Sequence, residues 1–229
     1  MARKTKQEAQ ETRNRLLDAA EQLFHERGVS HTSLQDIAVA AGVTRGAVYW
    51  HFQDKAELFN AMMERATMPF EEGMALSAAN PQDRSLLNLR WGMVNVFHST
   101  MHNERTRRVF EIAMQKVEYT GELQGLKERK LEALRNWRQQ NRAAFDAAVA
   151  TGLLPKDLNT EVAAIALMAL VDGLLHQWIM APDAFDLMVV GRAAVEGFLN
   201  SLTRAMEPLL PEMSVEELAR LGQQPICGR

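Results

Sequence analysis

The segment from residue 33 to residue 52 restricts the fold of this chain more than any other part of its sequence. Ser33 and Thr44 each have a side chain suited to a helix N-cap, and Asp36 completes a capping box with Ser33. Gly42 lies between the two predicted helices, where a left-handed conformation ends a helix at little steric cost. Two short helices joined by a tight turn form a helix-turn-helix, whose second helix can enter the major groove of DNA.

The second of these helices has a high density of side chains suited to DNA. Arg45 can bond a guanine edge or a phosphate, and Tyr49 suits contact with a phosphate oxygen. Lys55 begins the next predicted helix, where its ammonium and the exposed backbone N–H groups can hold one phosphate together. We interpret Phe52 as a core residue, and Trp50 as partly one.

The first residues of the chain form a short basic arm without an apolar segment behind it, so we do not expect them to be a secretory signal. Such an arm can lie along phosphates or enter a minor groove, and it can also be a solvated tail. The net charge of −3 does not by itself indicate nucleic acid, so the interpretation depends on local groups. The candidate DNA-binding residues are Arg3, Lys4, Lys6, Thr32, Ser33, Thr44, Arg45, Gly46, Tyr49, Trp50, His51 and Lys55.

Helical periodicity continues through most of the remaining sequence, and no Asn-Gly hairpin signal appears. Pro69 is expected to bend or end the fourth helix, because proline lacks the backbone donor that a helix interior needs. Further helices are separated by Asn80-Pro81, by residues 152–155 and by Pro182. The sequence therefore predicts an all-α fold with a three-helix head at residues 1–54, a larger bundle at 55–206 and a C-terminal tail at 207–229.

The sequence contains none of the usual catalytic or nucleotide-binding motifs. Gly-x-Ser-x-Gly, the P-loop, Gly-x-Gly-x-x-Gly, His-Glu-x-x-His and Glu-x-x-His are absent, so we expect neither an enzyme nor a cofactor. His98 and His102 are spaced for one helix face, but a metal site would need a third ligand. Cys227 is the single cysteine, which excludes an intrachain disulfide and is typical of a reducing cytoplasm.

One predicted helix, within residues 162–181, is long and apolar enough to be considered as a membrane span. It contains Asp172 and His176, which a bilayer centre tolerates poorly, so we expect a core or dimer helix and no membrane. A carboxylate in such a helix is either paired inside the bundle or serves as a polar anchor in an apolar pocket. Both alternatives stay open, with His176 as the expected partner of Asp172.

The segment from Ala41 to Phe52 resembles the head of the TetR family of transcriptional regulators. The N-terminal arm together with residues 8–13 resembles the AcrR/TtgR branch, whose members repress multidrug efflux pump genes. The resemblance continues through residues 106–108 and 171–174, and it covers about residues 2–205. It implies an all-α homodimer of about nine helices, in which helices one to three bind double-stranded operator DNA. The eighth and ninth helices would form the dimer interface.

The same resemblance implies a pocket among the fourth to eighth helices for a small apolar or aromatic compound, such as a drug, an antibiotic or a phenolic. Phe110 and Trp137 are bulkier than the branch leads us to expect, so the pocket is expected to differ in shape. Leu187 and Val195 are expected on the association surface. The candidate ligand-binding residues are Asn95, His98, Phe110, Met114, Trp137, Asn141, Met168, Val171, Asp172 and His176.

These features favour a cytoplasmic, ligand-responsive repressor of an efflux operon that binds a palindromic operator as a dimer. A regulator of the same type that controls a metabolic or stress pathway is the first alternative. An all-helical enzyme or carrier with an incidental helix-turn-helix is the second. The missing catalytic motifs and the density of DNA-suited groups from Thr44 to Lys55 argue against that second alternative.

Overall fold

The computed structural model describes residues 6–77, 85–119 and 124–203. Over these ranges the chain forms nine α-helices and no strand, which confirms the all-α fold predicted from the sequence. The predicted tail at 207–229 lies outside the described residues. The helices are α1 (Lys6–Arg27), α2 (Leu34–Ala40), α3 (Arg45–His51), α4 (Lys55–Ser77), α5 (Ser85–His102), α6 (Glu104–Gln115), α7 (Gln124–Ala150), α8 (Thr160–Met180) and α9 (Leu187–Ser201).

Side-chain caps place the two short helices of the head. The Ser33 hydroxyl accepts from the Asp36 N–H at 3.1 Å, and the Asp36 carboxylate accepts from the Ser33 N–H at 2.9 Å. The Thr44 hydroxyl accepts from the Ala47 N–H at 3.2 Å and caps α3 in the same way. Between the two helices Gly42 has a φ of +65°, which side chains with a Cβ rarely adopt. The helix-turn-helix predicted from these signals is therefore confirmed.

The buried apolar side chains form two clusters. The first, which we call the head core, joins α1, α2 and α3 with the start of α4 and with Val109 and Ile112 of α6. The second, the body core, joins α5, α7, α8 and α9 and includes Phe97. Phe110 and Met114 of α6 pack against the body core. α6 therefore contacts the head core through one face and the body core through another.

Two helix ends differ from the sequence prediction. α4 continues through Pro69 to Ser77, so of the two outcomes expected for this proline, a bend or a helix end, the second does not occur. A proline removes a single backbone donor, and the residues on both sides of Pro69 keep the helical conformation. The sequence pattern predicts that the helix beginning at Glu104 continues to about Tyr119, but α6 ends at Gln115. Lys116 leaves the helical conformation, and its carbonyl accepts from the Val29 N–H of the head at 3.0 Å.

α8 is the one helix in the described ranges that is long and apolar enough to cross a membrane by length and composition alone. Part of it is buried against α7 and α9. Leu187 and Val195, expected on an association surface, are instead fully buried in the body core, because helical spacing alone does not show which apolar face turns inward. The large apolar side chains that stay exposed on α8 and α9 are Val162, Ile165, Met180, Val189 and Val190.

Candidate nucleic-acid interface and ligand-binding residues

α3 presents a row of large side chains to solvent. Trp50 is 72% exposed and Tyr49 is 48% exposed, although a protein core would normally bury such rings. The partial core role expected for Trp50 is therefore wrong. Val48 is the inward residue of α3, and a residue two positions further along a helix projects to nearly the opposite side. Phe52, which follows α3, is buried in the head core as expected.

Arg45 and Tyr49 are one helical turn apart and in contact. Arg45 Nη2 donates to Tyr49 Oη at 3.2 Å, and the guanidinium carbon lies 5.5 Å from the centre of the Tyr49 ring. The hydrogen bond to Tyr49 raises the pKa of Arg45 above its ordinary value, so the guanidinium is charged at every relevant pH. A charged guanidinium at the exposed start of α3 can bond a guanine edge, and the phenol hydroxyl suits a phosphate oxygen.

A groove of about 490 Å³ lies between the turn before α2 and the starts of α3 and α4. Ser33, Arg45 and Tyr49 all line it. Asp36 also lines the groove, but its carboxylate is already bonded to Ser33, and these hydrogen bonds lower its pKa. The structure thus brings five of the candidate DNA-binding residues to one groove of the head, because Thr32 and Lys55 line it as well.

Two other candidates for DNA contact are used inside the protein. Thr32 is buried, and its hydroxyl donates to the Gly28 carbonyl at 2.9 Å. Lys55 is also buried, and its ammonium donates to the Thr32 carbonyl at 3.0 Å. Lys55 therefore ties the turn before α2 to the start of α4. A direct contact of either side chain with a phosphate stays a prediction.

The remaining candidates of the head differ in exposure. His51 is half-buried and packs edge-on against Trp50, with ring centres 4.5 Å apart. Arg3 and Lys4 lie outside the described residues. The candidates with solvent-exposed positions at the starts of helices are Lys6, Ser33, Thr44 and Gly46.

The candidate ligand-binding residues divide into an inner and an outer set. In the inner set, Phe110, Met114 and Trp137 are half-buried against the body core, and Val171 is part of that core. Asn141 lies one turn after Trp137 on α7 and is buried. The structure therefore places these five residues on the inward faces of α6, α7 and α8.

Asn141 is the polar member of the inner set. It is 2% exposed, and its Nδ2 has no acceptor among the residues that the structure describes. An unpaired buried donor costs about 1–3 kcal/mol, so such a group in a folded protein usually meets water or a ligand. Asn141 is therefore the member of the inner set best suited to anchor a polar atom of a ligand.

Asp172 and His176 form part of the outer set, on the side of α8 that also exposes Ile165 and Met180. Within the described ranges no hydrogen bond or ion pair joins Asp172 to His176, so the expected pair is not formed. Protein atoms crowd one side of Asp172 and raise its pKa above the ordinary value by desolvation, which the charge of Lys130 on α7 partly opposes.

The other outer candidates lie on α5 and α8. Asn95 and Met168 are half-buried, and His98 is exposed. The His98 ring packs against that of His102, with centres 4.4 Å apart. No group of three metal-ligating side chains occurs within the described part of the chain. The ligand-binding roles of all these residues stay predictions.

One group of functional side chains was not predicted from the sequence: Glu21 of α1 contacts Arg105 and Arg108 of α6. The available signal was a pair of acids three residues apart on α1 and a pair of arginines with the same spacing on α6. Spacing within each helix does not show that the two pairs meet, because Arg108 and Glu21 are 87 residues apart in the chain.

Comparison with known proteins places this arrangement in a family. The family model described as "Bacterial regulatory proteins, tetR family" matches residues 16–62, and the model described as "MAATS-type transcriptional repressor, C-terminal region" matches residues 84–204. The chain is 39% identical over 188 residues to the HTH-type transcriptional regulator TtgR of Pseudomonas putida. The aligned residues cover 82% of this chain and 90% of TtgR.

Two solved structures support the same assignment. NalD, the secondary repressor of the MexAB-OprM multidrug efflux pump in Pseudomonas aeruginosa, matches with a TM-score of 0.76 and 37% identity, over 88% of this chain and 100% of NalD. SmeT in complex with triclosan matches with a TM-score of 0.76 and 33% identity, over 88% of this chain and 99% of SmeT. The exposed side chains of α3 and the nine described helices are consistent with these matches. The chain belongs to the TetR family of ligand-responsive bacterial transcriptional regulators, which are not enzymes.

Proposed function

We propose that this protein is a cytoplasmic repressor of a multidrug efflux pump operon that binds a palindromic operator as a homodimer and is released by small apolar or aromatic compounds. The observation that carries the proposal is the exposed row of Arg45, Tyr49 and Trp50 on a capped α3, in a chain 39% identical to TtgR. The match to NalD, a repressor of a multidrug pump, supports the choice of operon.

An apolar surface on α8 and α9 supports the homodimer. Val162 and Ile165 are exposed near the start of α8, Met180 at its end, and Val189 and Val190 are exposed on α9. Large apolar side chains exposed on two helices that contact each other are typical of a site of association with another protein. A second copy of the chain would supply the second reading head that a palindromic operator requires.

The inner set supports a ligand site in the body. Phe110 and Trp137 offer flat aromatic surfaces, and Met114 is a flexible and polarizable side chain that fits ligands of irregular shape. Asn141 would donate its unpaired N–H to a hydroxyl, phenolate or carbonyl oxygen of the ligand. Triclosan, which binds SmeT, has a phenol oxygen on an apolar aromatic frame and is therefore a suitable probe.

An electrophoretic mobility shift with DNA upstream of the gene for this protein tests the proposal. We expect a shifted band that disappears when triclosan is added, and a weaker shift for Arg45→Ala. A protein that shifts neither this DNA nor the DNA upstream of a pump operon would contradict the proposed function. A shift confined to DNA upstream of metabolic genes would support the metabolic alternative instead.

A further inference from the structure

A group of charged side chains, which we call the α1–α4–α6 cluster, joins the head to the body. It consists of Asp18 and Glu21 on α1, Arg65 on α4, and Arg105 and Arg108 on α6. Glu21 is only 3% exposed, so its carboxylate is almost wholly removed from water. The three helices meet at this one buried acid.

The two oxygens of Glu21 bind arginines from both other helices. Its Oε2 lies 3.1 Å from Arg65 Nη2 and 3.3 Å from Arg105 Nε, and its Oε1 lies 3.1 Å from Arg108 Nη1. Asp18 Oδ1 lies 2.8 Å from Arg65 Nη1 and 3.0 Å from Arg105 Nη2. Arg65 and Arg105 therefore each bridge both carboxylates, which fixes the planes of their guanidinium groups.

This arrangement resists small displacements of α1. A buried carboxylate is tolerated only while its partners stay in place, because removing one partner leaves an uncompensated charge in the protein interior. Asp18, by contrast, is about half exposed, with 52% of its side chain open to solvent, so the loss of its charge costs much less. α1 therefore stays in register with α4 and α6 chiefly through Glu21.

α6 connects this cluster to the inner ligand candidates. Phe110 and Met114 lie between Arg108 and the end of α6, and they pack against the body core. The carbonyl of Lys116, just after α6, accepts from the Val29 N–H of the head at 3.0 Å. The head is thus held by both ends of α6, and a shift of α6 must strain either these contacts or the orientation of α1.

We propose that Glu21 is a positioning residue for DNA binding, through which α4 and α6 together fix the orientation of the reading head. The separation of the two α3 helices in a dimer depends on this orientation, and the two half-sites that they read lie about 34–36 Å apart. The inference goes beyond the proposed function, on which its DNA readout depends; a second readout below needs no DNA.

The first test compares Glu21→Gln, which keeps the size of the side chain and removes its charge, with Glu26→Gln. Glu26 is an exposed acid on the same helix, so its substitution removes the same charge outside the cluster. The probe is a palindromic duplex that the wild-type protein selects from random DNA. Matched duplexes have one base pair inserted or removed between the half-sites, and binding is measured by fluorescence anisotropy.

We expect Glu21→Gln to lose preference for the selected spacing, with the ratio of affinities falling by about two- to thirty-fold, while Glu26→Gln keeps the wild-type ratio. A substitution that merely lowers the folded fraction weakens binding to all duplexes by one factor and leaves the ratio unchanged. A wild-type ratio in folded Glu21→Gln would therefore overturn the proposal.

The second readout is the distance between the two heads without DNA. Spin labels are attached at Val39→Cys, an exposed position on α2, in a Cys227→Ser background. Glu21→Gln should broaden the distribution of label distances relative to Glu26→Gln, and identical distributions would overturn the proposal. Should the wild-type protein select no DNA, the proposed function fails while these distances still test the role of Glu21.

Asp18→Asn is the second variant, for the case that Glu21→Gln does not fold. The side chain of Asp18 is half-exposed, so its substitution is not expected to prevent folding. It removes one acceptor each from Arg65 and Arg105, so we expect a smaller loss of spacing preference in the same direction. Asp18→Asn with the wild-type ratio and the wild-type label distances would count against the cluster as the element that positions the head.

Discussion

Gly191 on α9 lies so close to Phe97 on α5 that a Cβ at position 191 would be 2.5 Å from the ring carbon Cδ2. The Phe97 ring is fully buried in the body core, and protein cores are packed too closely for a ring to shift without cost. We therefore expect Gly191→Ala to lower the free energy of unfolding by about 1–3 kcal/mol, through overpacking. Thermal melting and urea unfolding of the variant measure this loss.

The matched control is Gly125→Ala near the start of α7, where a Cβ would meet nothing within 4 Å. Alanine has the higher helix propensity, so this change should leave stability equal or raise it by up to about 1 kcal/mol. A Gly191→Ala protein as stable as the Gly125→Ala control would show that α5 and α9 are farther apart than described.

Arg45→Ala should relax the preference of the protein for one base pair in each half-site. Loss of a bidentate contact with guanine costs about 1–3 kcal/mol, and the cost appears only with duplexes that contain that base pair. Anisotropy titrations of single-base-pair variants of the selected duplex measure it. A uniform loss across all variants would mean instead that Arg45 binds a phosphate.

Asn141→Leu should raise stability and lower ligand affinity at the same time. The substitution removes a buried donor that has no protein acceptor among the described residues, and it replaces the amide with an apolar group of similar size. Thermal melting without ligand and calorimetry with triclosan provide the two readouts. Asn136→Leu, at an exposed position on the same helix, is the control, and it should change neither the melting temperature nor the triclosan affinity by much. A destabilised Asn141→Leu protein would show that the amide is already paired.

The raised pKa of Asp172 predicts a pH-dependent effect of Asp172→Asn. Because the folded protein holds this proton to higher pH than the unfolded chain, the associated stability is present in acid and is lost as the pH rises through the raised pKa. The variant, which has no carboxylate to ionise, should melt above wild type near neutral pH and together with wild type at about pH 3. The same difference in melting temperature at both pH values would show that the surroundings of Asp172 do not disfavour its charge.

The parts of the fold that depend on neighbouring residues could be predicted from the sequence. The Ser33–Asp36 capping box and the Thr44 cap act within three residues, so the sequence contains both partners of each hydrogen bond side by side. The start of α8 follows in the same way from Asn159, whose side chain accepts from the Val162 N–H at 3.1 Å.

The parts that depend on distant residues could not be predicted. Glu21 could not be recognised as buried, since the Arg65 that contacts it is 44 residues away and Arg108 is 87 residues away. Lys55 was predicted to hold a phosphate at a helix start, and its bond to the Thr32 carbonyl could not be foreseen because it depends on how the turn before α2 folds back. The side of α8 that faces inward was ambiguous because apolar residues surround most of this helix, which left the orientation of Asp172 open.

Release of the repressor by a ligand requires that ligand and operator compete through one conformational equilibrium of the protein. Calorimetric titration of triclosan into the free protein and into the operator-bound protein tests this claim most directly. Linkage requires that a compound which weakens operator binding is itself bound more weakly by the complex, by the same factor. We predict a triclosan affinity about 5–150-fold lower for the operator-bound protein, the usual range for allosteric coupling. Equal affinities for the two forms would contradict the claim.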